Sequence, residues 1–91
     1  MDIYALNTQE VLERISRHCP QALSVYLHCL NRVEKDGQEV YFSRDMIEQQ
    51  LSESWTRFRN NIKKLATENL LEWRLEEHGI NVTLAALEDY E

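Results

Sequence analysis

One proline, two glycines and two cysteines are spread over 91 residues. So few chain-breaking residues exclude a linker-rich or collagen-like chain, and so few thiols exclude a disulfide-stapled scaffold. Basic residues are short as well: ten Lys and Arg stand against sixteen Asp and Glu, a formal charge of −6. That balance repels a polyanion at long range and excludes the broad cationic face of an architectural nucleic-acid protein. No apolar run approaches the length of a membrane span, and the first residues lack the basic-then-apolar order of a signal peptide. A cytoplasmic protein with no membrane partner is the expectation. Glycine-rich phosphate loops and nucleophile elbows are missing, and His18, His28 and His78 have no sequence partner that suggests a base. Neither an enzyme nor a cofactor is therefore expected. The dipeptides His18-Cys19 and His28-Cys29 lie ten residues apart, and adjacent helical residues diverge by about 100°, so the pair matches no ordinary zinc spacing. Two buried thiols in a reducing compartment, and no metal, are the expectation.

What remains is a helix-rich pattern of 43% hydrophobic residues, long enough for one small domain with a single core. Met1 to Leu6 is a short apolar lead-in. Asn7 and Glu10 form a capping box, with Leu6 and Val11 spaced for a hydrophobic staple, which starts a first helix. Val11, Leu12, Ile15 and Cys19 share its apolar side while Glu10, Glu13, Arg14 and Arg17 point away, and the helix stops before Pro20. This stripe either packs on its own domain or forms a dimer contact through Val11, Leu12 and Ile15. Pro20 suits the first turn of a second helix carrying Ala22, Leu23, Val25, Tyr26, Leu27, Cys29, Leu30 and Val33. Apolar residues cover several of its sides, so it is expected to be central, ending near Gly37.

Glu39 to Phe42 alternates polar with apolar and predicts a short strand. Ser43 is a natural N-cap for the next helix, with Asp45 in its first turn and Phe42 and Ile47 at staple positions. That helix ends near Leu51. The hydroxyls of Ser52-Glu53-Ser54 suit the start of another, in which Phe58, Ile62, Leu65 and Ala66 recur at helical spacing and face inward. Its opposite face carries Thr56, Arg57, Asn60, Lys63, Lys64 and Thr67, with Arg59 on the flank. Asn69 tolerates the left-handed conformation needed to leave that helix. Leu71, Trp73 and Leu75, then Ile80, Val82 and Leu84, alternate with polar residues on either side of a His78-Gly79 turn and predict a β-hairpin.

Leu51-Ser52-Glu53-Ser54, followed by Phe58, Ile62 and Leu65, resembles the turn and recognition helix of winged helix-turn-helix DNA-binding domains. Leu65-Ala66-Thr67-Glu68-Asn69-Leu70-Leu71-Glu72 extends the likeness, being similar to the end of that helix and the first wing strand. The likeness covers residues 20–84 and is to the winged-helix domains of bacterial, plasmid and phage regulators and replication initiators. It implies a mainly α fold with a small β-wing: a three-helix core plus a β-hairpin, preceded here by an extra N-terminal helix over residues 1–19 and followed by an acidic tail over residues 85–91. Ser52 stands where glycine is common in that group, Glu53 where an apolar residue is usual, and Asn61 where a small one is typical, so a differently set turn is expected.

The resemblance implies sequence-specific binding of double-stranded DNA by a dimeric transcriptional or replication regulator whose helix 55–68 enters the major groove. Arg57, Asn60 and Lys64 are three and four residues apart and line one stripe; arginine pairs bidentately with guanine and asparagine with adenine. Arg59 and Lys63 suit phosphates from the side, and Arg44 and Thr56 suit them from the helix starts. Charge distribution favours this. Residues 52–66 hold four basic residues and one acid, a local +3, whereas residues 67–91 hold seven acids and one arginine, −6. A solvated helix face that happens to be basic is the plainer alternative. The acidic hairpin tip at Glu77 and His78 favours a rival of another class, a winged-helix protein-interaction module, adaptor or DNA-site mimic whose acidic surface takes a protein partner.

Overall fold

A computed structural model describes residues 8–36 and 39–85. The Asn7 capping box, the lead-in, the Gly37 terminus and the tail beyond Ala85 lie outside those residues. Helix α1 (Thr8–His18) ends where Cys19 donates its N–H to the Ile15 carbonyl at 2.8 Å. Pro20, which has no N–H to contribute, opens a tight helical turn, Pro20–Ala22, closed by Ala22 N–H to Cys19 O at 2.9 Å. Helix α2 (Leu23–Asp36) follows directly.

The stripe of α1 lies in the chain's own core: Val11 and Ile15 are 0% exposed, in one cluster with Val25, Tyr26 and Cys29 of α2. This corrects the expectation of a dimer contact through Val11, Leu12 and Ile15, because two of the three are already covered and Leu12 is half-buried at the cluster's margin. An amphipathic stripe looks the same in sequence whether its own domain or a second copy covers it. Helix α2 is central as expected, packing against α1, α3 (Trp55–Thr67) and strands β1 (Glu39–Ser43) and β3 (Gly79–Leu84) of the sheet; its remaining side faces solvent, where Leu27 is 47% exposed.

Strand β1 (Glu39–Ser43) leads into a short, wide helical turn, Met46–Gln50. Ser43 Oγ accepts the Met46 N–H at 3.1 Å, the expected cap. The turn is wider than an α-helix, with Leu51 N–H reaching back to Met46 O at 3.1 Å and Glu53 N–H to Ile47 O at 2.9 Å. Ser52 then adopts φ 55°. A side chain there costs more than glycine would, so this is a conformation that glycine suits best, and nothing in the structure explains the serine.

Helix α3 (Trp55–Thr67) starts on Ser54, whose Oγ accepts the Arg57 N–H at 3.4 Å. It ends in a paired closure, Leu70 N–H to Leu65 O at 3.1 Å and Asn69 N–H to Ala66 O at 2.9 Å, with Asn69 at φ 62°. Phe58, Ile62 and Leu65 are fully buried, while Ala66, expected among them, is only half-buried. Asn61 joins the buried side at 3% exposure. Phe58 meets Phe42 of β1 with ring centroids 5.2 Å apart, tilted by 56°.

Strands β2 (Leu71–Glu76) and β3 (Gly79–Leu84) form the expected antiparallel hairpin, and β1 adds to its other side, giving a three-stranded sheet in the order β1-β3-β2. The turn is Glu77-His78, not His78-Gly79, because Gly79 pairs with both Glu76 and Ser43 inside the sheet. A Cβ at Gly79 would collide with the Phe42 carbonyl and the Tyr41 ring, so the glycine serves close strand approach. The inner face presents Val40, Phe42, Leu71, Ile80, Val82 and Leu84 to the helices; Leu75, on the same rung as Phe42 and Ile80 but on the edge strand, is 48% exposed.

The two classes of contact that hold α3 separate in size. Phe58→Ala is expected to cost about 3–5 kcal/mol in urea unfolding, through lost burial and a cavity, and Ser54→Ala about 0.5–2 kcal/mol through the lost cap. A Phe58→Ala cost no larger than the Ser54→Ala cost would contradict this packing.

Candidate nucleic-acid interface

The buried trio Phe58, Ile62 and Leu65 fixes which side of α3 meets solvent. Thr56, Arg57, Asn60, Lys63, Lys64 and Thr67 are all exposed, and Arg59 is half-buried on the flank. Among the described residues no carboxylate pairs with Arg57, Lys63 or Lys64. Arg57, Asn60 and Lys64 thus share one open stripe of the helix, the arrangement expected from their spacing. Arg59 differs: its Nε is buried and has no hydrogen-bond partner, so its guanidinium is held by its stem against the domain rather than extended freely.

Two cations are oriented by tryptophans. Lys63 Nζ lies 5.7 Å from the ring centre of Trp73 on β2, and Arg44 Cζ lies 6.0 Å from that of Trp55 at the start of α3. Such contacts are worth about 0.5–1 kcal/mol at exposed sites, enough to bias a side chain's position and too little to prevent its release. Arg44 is further engaged by Glu48, Nε to Oε1 at 3.5 Å, and its backbone N–H donates to His78 O at 2.9 Å. That bond brings the hairpin tip beside the start of α3. A cleft of about 330 Å³ separates them, lined by Ser43, Arg44, Asp45, Trp55, Glu76, Glu77, His78 and Gly79. Sequence reasoning assigned no role to Trp55 and did not anticipate Trp73 under Lys63. The only signal was aromatic residues near basic ones, since each contact joins separate elements.

The hairpin adds acid and no free base. Arg74 Nη2 is 3.0 Å from Glu76 Oε1, and His78 Nε2 is 3.8 Å from Glu77 Oε1. At the opposite end of α3, Glu68 ties the helix to α1: its Oε1 lies 3.0 Å from His18 Nδ1, and its carbonyl accepts from Arg14 Nη1 at 3.4 Å. Position and electrostatics therefore divide the surface into a basic helix face, an acidic hairpin and a locked foot.

Cys19 and Cys29 are free and buried. Burial raises the Cys19 thiol, with Glu68 adding to the rise and Lys64 opposing it. Burial alone pushes Cys29 up to about 12, and burial followed by the neighbouring Cys29 pushes Tyr26 to about 12. Among the described residues no three His, Cys, Asp or Glu side chains converge as metal ligands, and no helix is long and apolar enough to cross a membrane. Comparison with protein-family models, curated proteins and solved structures finds no match to this chain.

The thiol and phenol shifts fix a pH dependence. The unfolded chain releases these protons nearer the ordinary values of 9.0 and 10.0 while the folded one holds them to about 12. Their contribution is complete below about pH 9 and is lost as pH climbs toward 12. Urea midpoints should fall across that window, less steeply in Cys29→Ala; a midpoint flat to pH 12 would contradict the burial of both groups.

Proposed function

We propose that this chain is a winged helix-turn-helix domain that binds double-stranded DNA, with α3 in the major groove, as a small transcriptional or replication regulator. The observation that carries the reading is the open Arg57, Asn60 and Lys64 stripe on a helix anchored by its apolar underside. The element order supports it. A helix, a strand, a short helix, α3 and a hairpin follow one another, and β1 pairs with the hairpin through β3, as in the resembling domains.

In this reading Arg57 and Asn60 face base edges, Lys64 and Lys63 take phosphates, and Arg44 and Thr56 add contacts from the helix starts. Arg59 is a lateral phosphate contact through the outer part of its guanidinium. The hairpin, with Glu76 and Glu77 at its tip, adds little attraction to phosphate. One reading helix with few cations gives limited affinity, so a homodimer on two half-sites is part of the proposal, by a surface other than Val11 and Ile15. Free thiols at Cys19 and Cys29 favour a reducing, cytoplasmic setting.

The acidic hairpin supports a second reading, a protein-interaction module that takes a basic partner and no DNA. Fluorescence anisotropy with duplexes selected from random sequence, taken across a salt series, separates the two. On the DNA reading, Lys64→Ala weakens every duplex and lowers the salt slope by about 1, while Arg57→Ala costs about 1–3 kcal/mol and relaxes specificity at one position. Absence of a complex at low salt would establish the second reading instead. Light scattering at micromolar concentration that finds only monomer would remove the dimer.

A further inference from the structure

Strand β2 is one edge of the sheet, and its pairing pattern fixes which backbone groups are spare. Ala85 donates its N–H to the Leu70 carbonyl at 2.9 Å, one step beyond the Leu71–Leu84 pair. In an antiparallel ladder bonded and non-bonded pairs alternate, so Glu72, Arg74 and Glu76 bond to β3, while Leu71, Trp73 and Leu75 turn their N–H and C=O groups outward. No described strand meets those groups. The other edge, β1, is less open, because α2 and the Met46–Gln50 turn both pack against it.

The side chains of this edge specify what fits beside it. On the inner face Leu75 is 48% exposed and Trp73 half-buried, so apolar residues opposite them extend the buried surface, and Lys63 over Trp73 disfavours a base there. The outer face carries Glu72, Arg74 and Glu76. Arg74 holds Glu76, Nη2 to Oε1 at 3.0 Å, whereas Glu72 has no basic partner among the described residues. Glu39 shares the row of Glu72 through Thr83, two strand spacings or about 10 Å away. A lysine or arginine opposite Glu72 is therefore drawn by two carboxylates, and the −6 charge of the chain attracts a basic segment from a distance.

We propose that the β2 edge docks an extended, positively charged segment of a protein partner, added antiparallel as a fourth strand. Bases lie opposite Glu72 and Glu76, an acid opposite Arg74, and apolar residues opposite Trp73 and Leu75. Main-chain bonds to Trp73 and Leu75 supply the affinity, and the alternating side chains supply the selectivity. Strand β2 carries none of the residues assigned to DNA, so the site stands apart from that reading.

Amide hydrogen exchange of the full chain, with and without the capped peptide Lys-Val-Glu-Val-Lys-Val, tests the site without DNA. In the free protein the Trp73 and Leu75 amides are expected to exchange readily and those of Glu72 and Arg74 slowly. Protection of Trp73 and Leu75 before peptide is added, whether by a second copy or by another part of this chain, overturns the open edge. Added peptide slows exchange at both. The same peptide N-methylated at the valine opposite Trp73 binds about tenfold more weakly, the effect of one lost main-chain bond. Equal binding by the two overturns strand addition. Lys-Val-Glu-Val-Glu-Val, with an acid opposite Glu72, binds severalfold more weakly than the first peptide, and Glu72→Lys reverses that preference. Indifference of the unaltered protein to this exchange overturns the register, and absence of peptide binding at low salt overturns the site.

Discussion

Phe58 and Phe42 touch at 5.2 Å, and that contact joins the exposed helix to the sheet. Phe42 belongs to β1, whose neighbour β3 carries Ile80 directly opposite it, so the ring of α3 rests on two strands through one residue. Ile62 and Leu65 extend the seam toward the foot of the helix, where the closure at Asn69 passes the chain into β2. Because these side chains fill one face of α3, its rotation about its own axis is fixed. A helix with a weaker underside could roll and present a different set of residues to solvent; this one presents Arg57, Asn60 and Lys64.

Charge is arranged around that rotation. The chain carries −6 overall, and the acid beside α3 falls at its two ends. Glu76 and Glu77 stand on the hairpin by its start, and Glu68 sits at its foot. A polyanion approaching end-on meets carboxylates; one approaching broadside meets cations. Lys63 over Trp73 and Arg44 over Trp55 hold two of those cations near the middle and the start of the face, so less side-chain freedom is lost when an anion arrives. Net charge alone is a poor guide to such a surface, because attraction at contact distance depends on the nearest few groups once salt screens the rest.

Much of the frame was legible from local signals. Ser43, Ser54 and Asn69 each do what their residue type does at a helix boundary, and the alternation of Leu71 to Leu84 gives both hairpin strands. The errors lie where the deciding neighbour is distant in sequence. Gly79 looked like a turn residue, but the Tyr41 ring and the Phe42 carbonyl on another strand require it within the sheet. Val11 and Ile15 carried no mark to distinguish a domain core from a subunit contact. The outward residues of α3 followed from periodicity alone, whereas the tryptophans beneath Lys63 and Arg44 depended on how separate elements pack.

The strand order β1-β3-β2 leaves β2 with one side of its backbone unmatched by any described strand. Its side chains alternate Leu71, Glu72, Trp73, Arg74, Leu75 and Glu76, so a second copy laid antiparallel about Arg74 would set Glu72 against Glu76 and Arg74 against itself. Like charges face each other at every polar rung of such a ladder. In that register the border disfavours a copy of itself, which tempers the hazard that open sheet margins otherwise carry.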